Sequence, residues 1–202
     1  MYGVQDKTGG VAPVAGVVEG VKIQSIAVVS EGSWANRAID ITFEQPNGGT
    51  VKHRAFELES NAEQWKIENF NALFTEIASA VGSIDEYTKT LGVVNSFAEF
   101  AERAVHYISS KMGGASLRVK FTYKENSNGD WFVNLGKINI YRATIERDSV
   151  NPATVVWNPK YDVMTPPASS ASADTEDMSQ LGQPEEIAPT AWADAETGNA
   201  QA

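Results

Sequence analysis

The stretch from Arg37 to Leu58 leaves the backbone little choice. Ile39, Ile41 and Phe43 alternate with Asp40, Thr42 and Glu44, the period of a strand with one buried and one wet face. Pro46-Asn47-Gly48-Gly49 follows, and Asn and Gly tolerate the positive φ that a tight hairpin needs. Thr50 to Leu58 returns as the partner strand. A hairpin with one apolar face is marginal alone and must be covered by other elements. The same period recurs at Ser116 to Lys124, where Leu117, Val119, Phe121 and Tyr123 oppose Arg118, Lys120, Thr122 and Lys124. The polar turn Asn126 to Asp130 leads into a return strand, Trp131 to Leu135, and Lys137 to Ile145 reads as one more strand. Val21 to Val29 is β-branched and supplies a strand ahead of the first hairpin.

Between these two strand regions the period changes to that of helices. Ser60-Asn61-Ala62-Glu63 and Ser96-Phe97-Ala98-Glu99 both fit a capping box, serine at the cap and glutamate three residues on. The first predicted helix carries Trp65, Phe70, Leu73, Phe74, Ile77 and Val81 and stops near Gly82. The second carries Phe97, Phe100, Ala101, Ala104, Val105, Ile108 and Met112 and stops at Gly113-Gly114. Ser83 to Asn95 is ambiguous and has room for a short helical turn. Strands, then helices, then strands predict an α+β chain, mainly β: an antiparallel, barrel-like sheet with two inserted helices set to one side.

Charge divides the chain as sharply as periodicity does. Thr165 to Ala202 holds Asp174, Glu176, Asp177, Glu185, Glu186, Asp194 and Glu196 and no base, so it carries -7 of the net -10. Among Pro, Ser, Ala and Gly it has too little apolar surface to offset the entropy of ordering, which predicts disorder. An acidic tail on a globular body is an interaction or shielding device. Residues 1–20 read as a flexible N-terminal arm with a short strand at its end, residues 21–164 as one folded domain, and 165–202 as the tail. Arg103 to Arg147 is the reverse of the tail, with eight bases against three acids.

The absence of cysteine removes disulfides, thiol nucleophiles and cysteine metal sites. No apolar run approaches the roughly 18 residues that span a bilayer, and no basic segment precedes an apolar one near Met1, so the expectation is a soluble, cytoplasmic protein without membrane contact. His53 and His106 are isolated from each other and from carboxylates at ligand spacing, which predicts no metal. Gly113-Gly114 ends a helix rather than opening one, so there is no phosphate loop. No Ser/His/Asp set is visible. The chain is expected to have no catalytic residues and no cofactor.

Binding is a different matter. Arg118, Lys120 and Lys124 fall on one face of a strand, the first two about 7 Å apart, close to the phosphate spacing of nucleic acid. Single-strand binders combine such cations with flat side chains on which bases stack. Trp34 lies in a loop beside Arg37. If Trp131, Val133 and Leu135 face the core, Phe132 faces the cations or solvent. Lys52 and Arg54 form a second basic patch on the first hairpin, and Lys137 follows the second. The competing reading makes this strand a solvated face that only keeps a sheet soluble.

A small β-rich body with a basic, aromatic-bearing sheet and a long acidic, Pro/Ser-rich C-terminal segment resembles the single-stranded DNA-binding proteins of bacteriophages. The resemblance covers the organisation of the whole chain. It implies an oligonucleotide-binding (OB) barrel that coats single-stranded DNA without sequence specificity during replication, recombination and repair. It also implies that the acidic tail, here with Trp192 among its acids, recruits replication or recombination proteins and competes with DNA. Homo-oligomers are compatible with it, and a phage-encoded chain would act in the host cytoplasm. Two departures stand out: such tails close on acids beside a terminal aromatic, whereas Trp192 lies ten residues before Ala202, and the helical insert exceeds the one helix of a minimal barrel. A virion structural subunit and a protein-binding adaptor without nucleic-acid function are the alternatives.

Overall fold

The computed structural model describes residues 10–165. The tail residues named above, Asp174 to Glu196, and residues 1–9 of the N-terminal arm lie outside this range. Six strands form one sheet: β1 (Gly16–Val28), β2 (Ala38–Glu44), β3 (Thr50–Phe56), β4 (Leu117–Glu125), β5 (Trp131–Leu135) and β6 (Ile145–Arg147). Between β3 and β4 stand three helices, α1 (Gln64–Val81), α2 (Ile84–Leu91) and α3 (Phe97–Lys111). Every pairing is antiparallel. The order is β3-β2-β1-β4-β5, with β6 beside β5 on the edge of β4.

β1 holds the sheet together because it serves two ladders. Its first half pairs with β4, Gly16 opposite Phe121 and Val21 opposite Leu117. Its second half pairs with β2, Ile23 opposite Phe43 and Val28 opposite Ile39. The ladder with β4 shifts register between Val18 and Val21, and Gly20 sits in that irregularity at φ +76°. A Cβ there would meet Pro46 at 3.0 Å in a backbone region that L side chains rarely adopt. β1 begins at Gly16, five residues earlier than the expected domain start at Val21.

The apolar faces predicted by alternation meet in one core. Ile39, Ile41, Phe43, Leu117, Val119 and Phe121 are fully buried, and the Phe43 and Phe121 rings meet edge to face at 6.0 Å. From the helices, Leu73, Phe74 and Ile77 of α1 and Ala101, Ala104 and Ile108 of α3 enter the same cluster. Phe70, Phe74, Phe97 and Phe100 interlock α1 with α3 at centroid separations of 5.0–6.3 Å.

Four local expectations need correction. The first capping box does not form: α1 starts at Gln64 behind Glu63, with no side-chain cap. The Glu63 carboxylate accepts from Trp65 Nε1 at 3.0 Å and pairs with Lys66 at 3.3 Å, so it does not reach back to Ser60. The second box forms in half, Ser96 Oγ accepting from Glu99 N at 3.2 Å. The ambiguous segment holds a full helix, α2, which makes three inserted helices rather than two. The predicted strand from Lys137 to Ile145 is mostly a turn, because Asn139 Oδ1 takes the Tyr141 N–H at 2.7 Å and removes it from any ladder.

The expected barrel closure is not made. No backbone ladder joins the edge strands β3 and β5. A side-chain bond links them instead, His53 Nδ1 to Asn134 Oδ1 at 3.2 Å.

Candidate nucleic-acid interface

The cations of β4 do not form the surface that alternation predicts. Arg118 and Lys120 do share the face opposite Val119 and Phe121, but that face is covered. After β6 the chain runs back across it as a strap, residues 148–164. Arg118 donates to Glu146 at 2.6 Å and Glu19 at 2.8 Å, and to the carbonyls of Asp148 and Val150. Glu146 also accepts from the Thr154 hydroxyl and from the N–H groups of Thr154 and Val155. Burial pushes the Glu146 carboxyl up, but these donors outweigh it and hold it below the usual range. Lys120 pairs with Asp162 at 3.2 Å, both side chains 4% exposed. Both cations anchor the strap, and neither is presented to a phosphate. Alternation reports which side chains share a face, not what lies on top of it.

Lys124, the third of the set, sits beyond this cover and is half-buried, which pushes its ammonium pKa down. It stands directly opposite Phe132 across the β4–β5 ladder. Phe132 is 42% exposed, on the face away from Leu135 as predicted.

An exposed aromatic pair lies on the first hairpin and the loop before it. In the register of β2 and β3, Arg54 faces Asp40, Lys52 faces Thr42 and Phe56 faces Ala38. Arg54 grips Asp40 with two bonds, at 2.6 and 2.8 Å, and Lys52 reaches the same carboxylate at 2.7 Å. The Arg54 bonds are the main cause that holds the Asp40 carboxyl below its ordinary range; burial opposes them and Lys52 assists. Beyond Arg54, Phe56 meets Trp34 edge to face at 4.8 Å. Trp34 comes from the β1–β2 loop, at the end of a single helical turn. Arg37 lies 5.8 Å from the Trp34 ring centroid and is steadied by Glu57 at 2.8 Å. Trp34 and Phe56 remain 41% and 43% exposed despite their contact, so their rings stand in water beside Arg37 and Arg54. Phe56 escapes the sequence reading, although it continues the alternation of Lys52 and Arg54.

The seam between the hairpins is polar. Burial pushes the His53 imidazole pKa down, the Asn134 bond opposes this, and the nearby Lys124 charge adds to it. Lys137, the last predicted contact, opens the turn after β5 and makes no ion pair among the described residues.

Among the described residues no group of three or more His, Asp or Glu is placed to hold a metal ion, and no helix is long and apolar enough to cross a membrane. Compared with known protein families, curated proteins and solved structures, the chain matches none.

Proposed function

We propose that this chain binds single-stranded nucleic acid, DNA in the first instance, without sequence specificity. The observation that carries the reading is the exposed Trp34–Phe56 pair flanked by Arg37, Lys52 and Arg54. Flat apolar rings held open to water beside cations suit a base on the ring and a phosphate on the cation. Every base has a π-face, so such a surface tolerates any sequence.

The sheet itself fits the proposal. The order β3-β2-β1-β4-β5, helices between β3 and β4, and edge strands drawn together at His53 and Asn134 are what a five-stranded, partly open OB barrel requires. Such barrels bind along the face of strands two and three and the loops that flank it. Trp34 and Arg37 lie in the loop after β1, and Lys52, Arg54 and Phe56 lie on β3. A strand crossing the seam beyond Lys52 would meet Phe132 and Lys124. Asp40 holds Lys52 and Arg54, and Glu57 holds Arg37, which fixes the positions of the three cations beside the rings.

The acidic segment after Thr165 is proposed to compete for the same cations and to recruit replication or recombination proteins. Fluorescence anisotropy with labelled single-stranded and duplex DNA at several salt concentrations tests the function. Tight, salt-sensitive binding of the single strand with much weaker duplex binding is expected. Equal binding of both forms, or none of either, would remove the reading.

A further inference from the structure

A second aromatic and cationic surface lies away from the first hairpin, built from the β5–β6 turn and the strap. Tyr141 stands at the tip of the turn and is 85% exposed. Its position is fixed: Asn139 bonds the Tyr141 N–H, and Arg142 N–H returns to the Asn139 carbonyl at 3.1 Å. The base of the turn is pinned to α1, because Glu76 Oε2 accepts from both Thr144 N and Ile145 N at 2.9 Å. Tyr161, 60% exposed, comes from the strap, with Arg142 and Lys160 each 5.1 Å from its ring centroid.

The charges here differ from those of the first surface and of the strap's anchors on β4. Arg37, Lys52, Arg54, Arg118 and Lys120 are all held by carboxylates. Lys137, Arg142 and Lys160 make no ion pair among the described residues. A rigid turn that ends in an open tyrosine, beside cations without an acidic partner, serves no packing purpose. Its chemistry is that of a ligand with both a negative charge and an aromatic face.

The strap also links this surface to the first. Asp162 pairs with Lys120, and the next residue, Val163, accepts the Tyr123 N–H at 2.8 Å. Tyr161 is thus one residue from the strap's contact with Lys120, which lies four residues along β4, roughly 13 Å at strand rise, from Lys124, the partner of Phe132.

We infer that Tyr141, Tyr161, Arg142 and Lys160 form a second subsite, which takes the nucleotides of the same single strand that run on past Phe132. Arg142 and Lys160 hold phosphates, and Tyr141 stacks a base. The inference rests on the single-strand binding proposed above, and it explains how a small domain would occlude a longer stretch of strand than its hairpin face alone.

The test compares the full-length chain with its Y141A/R142A/K160A variant, using oligothymidylates from about 4 to about 16 nucleotides, the range of site sizes for one OB fold. The variant is expected to match the parent on the shortest oligonucleotide and to bind the longest about ten- to a hundredfold more weakly. Its salt slope on the longest should be lower by about 1.4, two contacts at about 0.7 each. Quenching of intrinsic tryptophan fluorescence by the short oligonucleotide should be unchanged, which shows the fold and the first surface intact. Equal binding by parent and variant at every length would overturn the second subsite and leave the first standing. No binding by the parent at any length would overturn both. A variant that keeps its DNA affinity but loses binding of a synthetic peptide of residues 165–202 would mark the surface as a dock for acidic polypeptide, and would also overturn the inference.

Discussion

Single side chains separate the two kinds of cation in this domain. Arg118 is a fastener: its guanidinium is shared among Glu146, Glu19 and two strap carbonyls, with its side chain 11% exposed. Removing one partner of such a pair leaves the other buried and uncompensated, so Arg118→Ala should cost about 3–5 kcal/mol of stability, read as a lower urea midpoint. Trp34 is the opposite case. It contributes little to the core, and Trp34→Ala should leave the midpoint nearly unchanged while weakening single-strand binding by about 1–3 kcal/mol. The salt slope should not move, because stacking releases no counterion. The outward side chain of Phe132 and the loop position of Trp34 beside Arg37 were legible in the sequence, since a period of two assigns faces and marks where the strands end. The burial of Arg118 and Lys120 was not. What covers them is the strap, whose residues 148–164 carry neither helical nor strand period, and pairing over long sequence separation leaves no local signal.

At the scale of elements, α1 is tied to β6 by an unusual group. Glu76 accepts from Thr144 and Ile145 from a largely buried position; burial raises its pKa to about 7, against the opposing pull of those N–H groups and of Lys120. The unfolded chain has an ordinary glutamate near 4.5. Between these values the fold holds a proton that the unfolded chain has lost, so this residue's contribution to stability falls as pH rises from about 4.5 to about 7. Gln at this position keeps the acceptor and cannot ionise. Glu76→Gln should therefore gain stability relative to the parent as pH rises from 5 to 7.5, measured as the difference between their urea midpoints. His53 acts in the opposite sense, since its lowered pKa means that the unfolded chain takes up a proton first as pH falls below 6.5. The parent-minus-variant difference cancels that contribution, and a difference that is flat with pH would show Glu76 to titrate normally. The strands and the cores of α1 and α3 were readable from periodicity. The start of α1 was not, because the first capping box is undone by Trp65 and Lys66, which take the Glu63 carboxylate.

At the scale of the molecule, the proposed competition couples the acidic segment to the cationic surfaces through their covalent link. Seven acids and no base lie after Thr165, and a tethered anion competes with phosphate at high effective concentration. A chain ending at Met164 should bind single strands more tightly at low salt, with the advantage fading as salt screens both partners. Unchanged affinity at low salt would remove the competition. The central claim is that the first hairpin, rather than the buried cations of β4, contacts phosphate, and the dependence of affinity on salt tests it most directly. Log affinity for an oligothymidylate should fall linearly with log salt for the parent chain. In the R37A/K52A/R54A variant, its unfolding free energy within about 1 kcal/mol of the parent's, the slope should flatten by about two units, near 0.7 for each lost contact. A variant whose slope and affinity equal the parent's would contradict the account.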